Sequence, residues 1–272
     1  MAELIDNTLL RSAVAAFAAS PAEQTYFDVL RSSMQGDLLL DATGSAITFA
    51  DDGSAIAKGS TISFRDGTAP DGGRAMFAFT NQAQVGNHHP DDRESVQTIG
   101  QSAISVLEFA VSQGYSWLYI DPAGPTCALE VAHVQFVLRN HHNDAVKTAL
   151  VRSAGAREAA LDALALGGSL LYAVSENADG SVEIATSTSP TGGPVYLAFT
   201  SAAEALARDA GAAVANVDLP RVVSDALTEP FTGLVINPAG PWIALDHEDL
   251  RTLQLRLPAV EPEPIGSEQP PA

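Results

Sequence analysis

The sequence predicts an α+β chain, a mixed α/β domain present as two tandem homologous copies, and three observations predict it. A five-residue turn occurs twice, as Asp121-Pro-Ala-Gly-Pro125 and Asn237-Pro-Ala-Gly-Pro241. Each turn follows a short apolar run, Ser116-Trp-Leu-Tyr-Ile120 or Thr232-Gly-Leu-Val-Ile236, and leads into another, Thr126-Cys-Ala-Leu129 or Trp242-Ile-Ala-Leu245. The flanking helical spacings and turn residues recur in the same order in both halves. Together they imply a mixed sheet with packed helices, present twice and related by a pseudo-two-fold axis.

The first copy spans residues 1–140. Leu9, Leu10, Ala13, Val14 and Phe17 recur at helical spacing after Asn7. Ser20-Pro-Ala-Glu23 then reads as a capped helix start, with serine as the cap and proline in the first turn. Tyr26, Phe27 and Leu30 supply that helix's apolar face. Leu38-Leu-Leu40 begins the strands, and Asp51-Asp-Gly53 and Arg65-Asp-Gly67 are hairpin turns between short strands at 46–49 and 61–64. Met76-Phe-Ala-Phe79 is the next strand. A polar loop from Gly86 to Arg93 precedes an expected helix over residues 95–113, which Gly114 stops before the Trp117 strand.

The second copy spans residues 141–257 in the same order. Asn143 to Ala149 matches Asn7 to Ala13, and Leu161-Asp-Ala-Leu164 parallels Phe27-Asp-Val-Leu30. Val195 to Thr200 matches the strand that ends at Thr80. Ser201-Ala-Ala-Glu204 reads as a capping box, a further helix begins near Pro220, and Asp246 caps the last one. The copies differ mainly between Asp51 and Asp66, where the first carries an extra hairpin. Residues 258–272 are rich in Pro and Glu, a composition that cannot bury apolar surface and is expected to be disordered.

Composition excludes several function classes. A formal charge of −19 opposes nucleic acid and anionic membrane surfaces as partners. Cys127 is the single cysteine, so neither an intrachain disulfide nor a cysteine-based zinc site can form, and a reducing cytoplasm suits the chain. No apolar run approaches the length of a membrane span, and the first residues lack the basic-then-apolar pattern of a signal peptide. There is no Walker A loop, dinucleotide glycine motif, Gly-x-Ser-x-Gly elbow or His-Glu-x-x-His, which argues against the familiar enzyme classes.

The residues also carry a resemblance. Ala198-Phe-Thr200, Gly233-Leu-Val-Ile-Asn-Pro-Ala-Gly-Pro241 and Leu245 resemble the SseB N-terminal domain family. So do Ala78-Phe-Thr80, Leu118-Tyr-Ile-Asp-Pro-Ala-Gly-Pro125 and Leu129. The likeness covers nearly all of residues 7–257 as two copies, in an alanine-rich composition of actinobacterial type. The second copy fits better, because Asp121 stands where the family pattern has Asn. The resemblance carries over no catalytic residues and no cofactor.

Candidate ligand or partner contacts are therefore sought in the repeated turns: Asp121, Pro122, Gly124 and Pro125, and Asn237, Pro238, Gly240 and Pro241. Strand-end loops often gather ligand groups, while the same Pro-x-Gly chemistry also makes a purely structural turn. The Asp/Asn difference weakens any single catalytic role shared by both copies. Thr80 and Thr200 offer hydroxyls to a ligand or, more simply, cap the following helices. The cluster Asn87-His-His-Pro-Asp-Asp-Arg93 has metal-ligand residue types, yet adjacent histidines diverge, and a solvated loop is the simpler reading of His88, His89, Asp91 and Asp92. His141 and His142 read as linker residues, and Cys127 as a buried, inert thiol.

The resulting expectation is a cytoplasmic, non-enzymatic module that binds a protein or small ligand without a cofactor or metal. The alternatives are an enzyme of amino-acid metabolism and a secretion-associated accessory or scaffold protein. A homo-oligomer is compatible with all three.

Overall fold

A computed structural model describes residues 5–48, 59–151, 156–177, 179, 181–189 and 192–257. The expected turn at 51–53 and the Pro/Glu-rich tail lie outside the described residues. In chain order the first copy contains α1 (Thr8–Ala19), α2 (Glu23–Ser32), β1 (Asp37–Asp41), β2 (Asp66–Thr68) and β3 (Arg74–Ala78). It continues with α3 (Gln82–His88), β4 (Thr98–Ser102), α4 (Ala103–Ser112), β5 (Trp117–Ile120), β6 (Cys127–Glu130) and α5 (Val131–Arg139). The second contains α6 (Asp144–Val151), α7 (Ala156–Ala165), β7 (Ser169–Glu176), β8 (Val182–Ile184), β9 (Thr186–Thr188) and β10 (Pro194–Ala198). It ends with α8 (Ala202–Arg208), β11 (Ala213–Asp218), α9 (Leu219–Ala226), β12 (Gly233–Ile236), β13 (Ile243–Asp246) and α10 (His247–Arg256).

The two sets build the same topology. In one, β2-β3-β5-β6 form a mixed sheet, with β3 parallel to β5 and the other pairs antiparallel. In the other, β9-β10-β12-β13 repeat it, with β10 parallel to β12. An antiparallel pair of β1 and β4 joins the first sheet through a bridge from Leu39 to Phe79, and the β7 ladder joins the second through Leu171 and Phe199. Alternation explains the edge strands: Cys127 and Leu129 point into the core, while Ala128 and Glu130 do not. Leu38, Leu39 and Leu40 are all buried, so that strand reads as a continuous apolar run. In the second set Leu164, Leu170, Val222, Leu234, Ile236, Leu245 and Leu250 form one core between the sheet and α7, α9 and α10.

Local chemistry departs from expectation at several places: Asp66–Thr68, read as part of a turn, forms β2, and of the expected strand at 61–64 only Thr61 makes an isolated bridge, to Ala46. Ser20 ends α1, and α2 starts at Glu23, where Thr25 Oγ1 accepts from the Ala22 amide at 3.1 Å. Residues 98–102 are strand, not helix. Their ladder with β1 sets Ile99 opposite Leu40, and the helix begins only after Ser102, whose hydroxyl caps the Ser105 amide at 3.2 Å. The corresponding β11 was equally hidden, because both strands are short, weakly apolar and stabilised by pairing across the sequence. Ser201 occupies the N-cap position of α8 without a side-chain cap bond.

By contacts the chain divides into a unit of residues 1–140 with 201–212, and a unit of residues 141–200 with 213–272. The segment 201–212 thus groups with the first unit although it lies in the second copy of the sequence. Helix α8 packs there on α2 and α5, and the Gln24 side chain donates to the Ala207 carbonyl. This accounts for a composition that amphipathicity alone does not explain. Ala202 to Ala207 are all buried, so Glu204 and the exposed Arg208 at its end are the only polar side chains of α8. The counterpart α3 buries only Val85, against Leu39 and Phe79, and exposes Gln82, Ala83 and Asn87. The same turn of fold is therefore written Ala-Ala-Glu-Ala-Leu-Ala where it is covered and Gln-Ala-Gln-Val-Gly-Asn where it is open.

Candidate functional site

The repeated turn is built from the end of a parallel strand pair. Ala78 on β3 lies opposite Ile120 on β5, so the residues that follow, Phe79-Thr80 and Asp121, leave the sheet side by side. Asp121 adopts a left-handed backbone, φ 53°, a region that Asp and Asn tolerate better than other side chains. Its amide continues the ladder to the Ala78 carbonyl at 2.9 Å, and its carbonyl closes the turn by accepting from the Gly124 amide at 3.2 Å. Proline at the second position and glycine at the fourth suit that turn.

The Asp121 side chain then points inward, with 1% of the residue exposed. Its Oδ1 accepts from the Thr80 amide at 2.8 Å and its Oδ2 from the Thr80 hydroxyl at 2.7 Å. The Thr80 carbonyl in turn accepts from the Asn7 amide at 2.9 Å. Asn7 caps α1 through the Leu10 amide at 3.2 Å and donates its side-chain amide to the Gln35 carbonyl at 2.8 Å. One threonine thus ties together the N-terminus of α1, the end of β3 and the end of β5. Burial pushes the Asp121 carboxyl up, the Thr80 bonds and the Arg11 charge oppose it, and the net direction is upward.

The second copy repeats the knot with one changed group. Asn237 has φ 55°, and its Oδ1 accepts from the Thr200 amide at 2.9 Å. Its Nδ2 donates to Thr200 Oγ1 at 2.8 Å, a bond the first copy's carboxylate cannot make, and the Thr200 hydroxyl also lies within 3.2 Å of Oδ1. The Thr200 carbonyl accepts from the Asn143 amide at 2.7 Å. Asn and Asp both serve because each presents an acceptor to the threonine amide, and the hydroxyl adapts as donor or acceptor.

The candidate residues therefore fall into two groups. Asp121, Asn237, Thr80 and Thr200 are buried and bond to each other in pairs. The threonines do not cap the next helix: Asn81 caps α3, accepting from the Gln84 amide at 3.0 Å. The other turn residues form the surface. Pro122, Pro238 and Gly240 are half-buried, and Gly124, Pro125 and Pro241 are exposed. Next to them Trp242 is 61% exposed.

The two histidines expected in a solvated loop occupy the end of α3 instead. His88 is the last residue of α3, and His89 is its C-cap. His89 Nε2 lies 2.5 Å from Oδ2 of Asp41, a carboxylate with no exposed surface. The pairing spans 48 residues, so no local pattern signalled it. Cys127 is fully buried, and burial pushes its thiol up to about 12. Among the described residues no group of three His, Cys, Asp or Glu is arranged to hold a metal ion.

A family model decides the classification. The SseB protein N-terminal domain model matches residues 10–135 and again residues 144–252. The chain belongs to the SseB N-terminal domain family. Both matches contain a complete SseB-type turn and its threonine partner, so the Asx–Thr knot is part of what the two copies share. No curated protein and no solved structure matches the chain.

Proposed function

We propose that this tandem SseB-domain chain is a non-enzymatic, cytoplasmic module that binds a protein or small ligand through its two Pro-Ala-Gly-Pro turns. In this reading Asp121, Asn237, Thr80 and Thr200 hold the turns rigid, and the exposed prolines and Trp242 make the contact. The observation that carries it is the exposure of Trp242, 61% open on the rim of a turn fixed by buried hydrogen bonds. A rigid rim with an open indole is the anatomy of a contact hot spot. The formal charge of −19 favours a partner that is not nucleic acid or an anionic membrane. No described helix is long and apolar enough to cross a membrane.

Site-specific photo-crosslinking in cells tests this. A crosslinker at position 242 is expected to yield a discrete adduct that is absent when the probe sits at Leu9, which is also exposed, 49%. Equal labelling from both positions, or none, together with no thermal shift from a metabolite panel, removes the support for this reading.

A further inference from the structure

The first unit holds a cavity that neither turn lines. It opens where the start of α2 meets the end of α8, has a volume of about 530 Å³, and is built from residues of that unit alone. Small-ligand sites run from about 300 to 1,000 Å³. Phe27 and Leu206 supply its apolar surface, and both are buried. Local bonds fix the walls. The Gln24 side chain donates to the Ala207 carbonyl and holds α2 to α8. The Asp209 amide ends α8 on the Ala205 carbonyl at 2.9 Å, and its Oδ1 accepts from the Gly211 amide at 3.1 Å, which sets the turn after the helix.

The two walls carry opposite charges that do not satisfy each other. Glu23 lines the cavity from α2 and Arg208 lines it from α8. Both are exposed, and neither forms an ion pair among the described residues, so carboxylate and guanidinium lie beyond each other's reach. Charges that face each other elsewhere on the surface close into ion pairs, as Arg74 does with Asp66 and Arg256 with Asp162.

The second copy lacks this arrangement. Leu161 corresponds to Phe27, which puts Arg157 at the position of Glu23. Arg157 is bonded to the Ala244 carbonyl at 3.0 Å and to Asp249. The helix is kept and the unpaired carboxylate is not, so Glu23 is no requirement of the fold.

We propose that this cavity binds a short peptide with free termini, its ammonium group on Glu23 and its carboxylate on Arg208. Three constraints select that class. Opposite charges on facing walls call for a ligand that carries both. Their separation calls for charges at the two ends of an extended backbone, since each extended residue adds about 3.3–3.6 Å, whereas in a free amino acid the two groups flank one carbon. The formal charge of −19 repels a plain anion from Arg208, while a zwitterion is neutral as a whole. The peptide's side chains then lie against Phe27 and Leu206. No residue of this site belongs to either turn, so the two readings fail independently.

Titration of the full 15N-labelled chain with trialanine tests this, read at the Gly211 backbone amide and the Gln24 side-chain amide. Saturable shifts of both are expected. N-acetyl-trialanine and trialanine amide should each bind about fivefold more weakly, the worth of one exposed ion pair, and free alanine should not saturate the shifts. Glu23→Gln and Arg208→Gln remove exposed charges and should keep the wild-type melting profile. The Glu23→Gln chain should bind trialanine about fivefold more weakly and be indifferent to acetylation, and the Arg208→Gln chain should be indifferent to amidation. A merely structural role would not produce that matched pattern. Absent shifts, blocked peptides that bind as well as trialanine, alanine that binds as tightly, or variants that keep their full sensitivity to blocking each overturn the proposal.

Discussion

Thr80 gives both its amide and its hydroxyl to the carboxylate of Asp121, at 2.8 and 2.7 Å, across 41 residues of sequence. Thr200 and Asn237 form the equivalent pair across 37 residues. Both pairs sit where two parallel strands end, and in each the Asx residue also takes the left-handed backbone that starts the turn. Backbone conformation and side-chain bonding therefore depend on a single residue, and the two contributions can be separated by substitution.

Asn237→Ala is expected to lower stability by about 3 kcal/mol. It leaves the buried Thr200 amide without its acceptor and places a Cβ in the left-handed region with no compensating polar group. Asn237→Gly loses the same hydrogen bonds but relieves the backbone, and should recover about 1 kcal/mol of the loss. Urea unfolding of the three proteins measures both steps. Equal stability of the alanine and glycine variants would show that the backbone conformation carries no cost.

Asp121→Asn installs the second copy's residue in the first, and its effect should depend on pH with a definite sign. Burial raises the Asp121 carboxyl above its unfolded value of 3.8. A group raised in the folded state contributes its stability fully below the unfolded value and loses it as pH rises through the folded one. Asn has no such dependence. The variant should therefore gain on the wild type between acid and neutral pH, and melting curves from pH 3 to pH 7 follow the difference. A gap that is constant over this range would contradict the assignment.

The sequence shows the repeat, the strand–turn–strand unit and most helices, because these leave local signatures: Asn7 before an apolar period, or Asp246 before α10, whose amides at Glu248 and Asp249 it caps at 2.9 and 3.0 Å. What it hides is carried by pairing at a distance. β4 and β11 have too little apolar character to be read alone. The sequence marks both Thr80 and Asp121, but nothing local says that they bond to each other. His88 and His89 read as loop residues because Asp41, which holds His89, is 48 positions away. The unusual apolarity of α8 is legible only once its cover by α2 and α5 is known.

That cover makes a paired prediction. Ala203→Glu places a charge on a fully buried position of α8 and should cost at least about 3 kcal/mol or prevent folding. Ala83→Glu, at the equivalent exposed position of α3, should stay within about 0.5 kcal/mol of wild type. Limited proteolysis should cut residues 201–212 faster in the first variant only. Similar behaviour of both variants would show that α8 is as open as α3.

The Asp41–His89 contact predicts a pH dependence opposite to that of Asp121. Burial pushes the Asp41 carboxyl up, but hydrogen bonds from the Thr43 side chain and amide, and His89, outweigh it and hold the group below its ordinary 3.8. A depressed carboxyl contributes stability above its unfolded value and loses it as pH falls through the folded one. Asp41→Asn removes that contribution, and at neutral pH it should cost about 2 kcal/mol, the worth of charge-assisted bonds at a buried site. The penalty should shrink below pH 4, where the wild type loses the same term. Chemical denaturation at pH 7 and pH 3 measures it, and His89→Gln provides the partner comparison. A variant as stable as wild type at pH 7 would show that the carboxylate does not hold His89 in place.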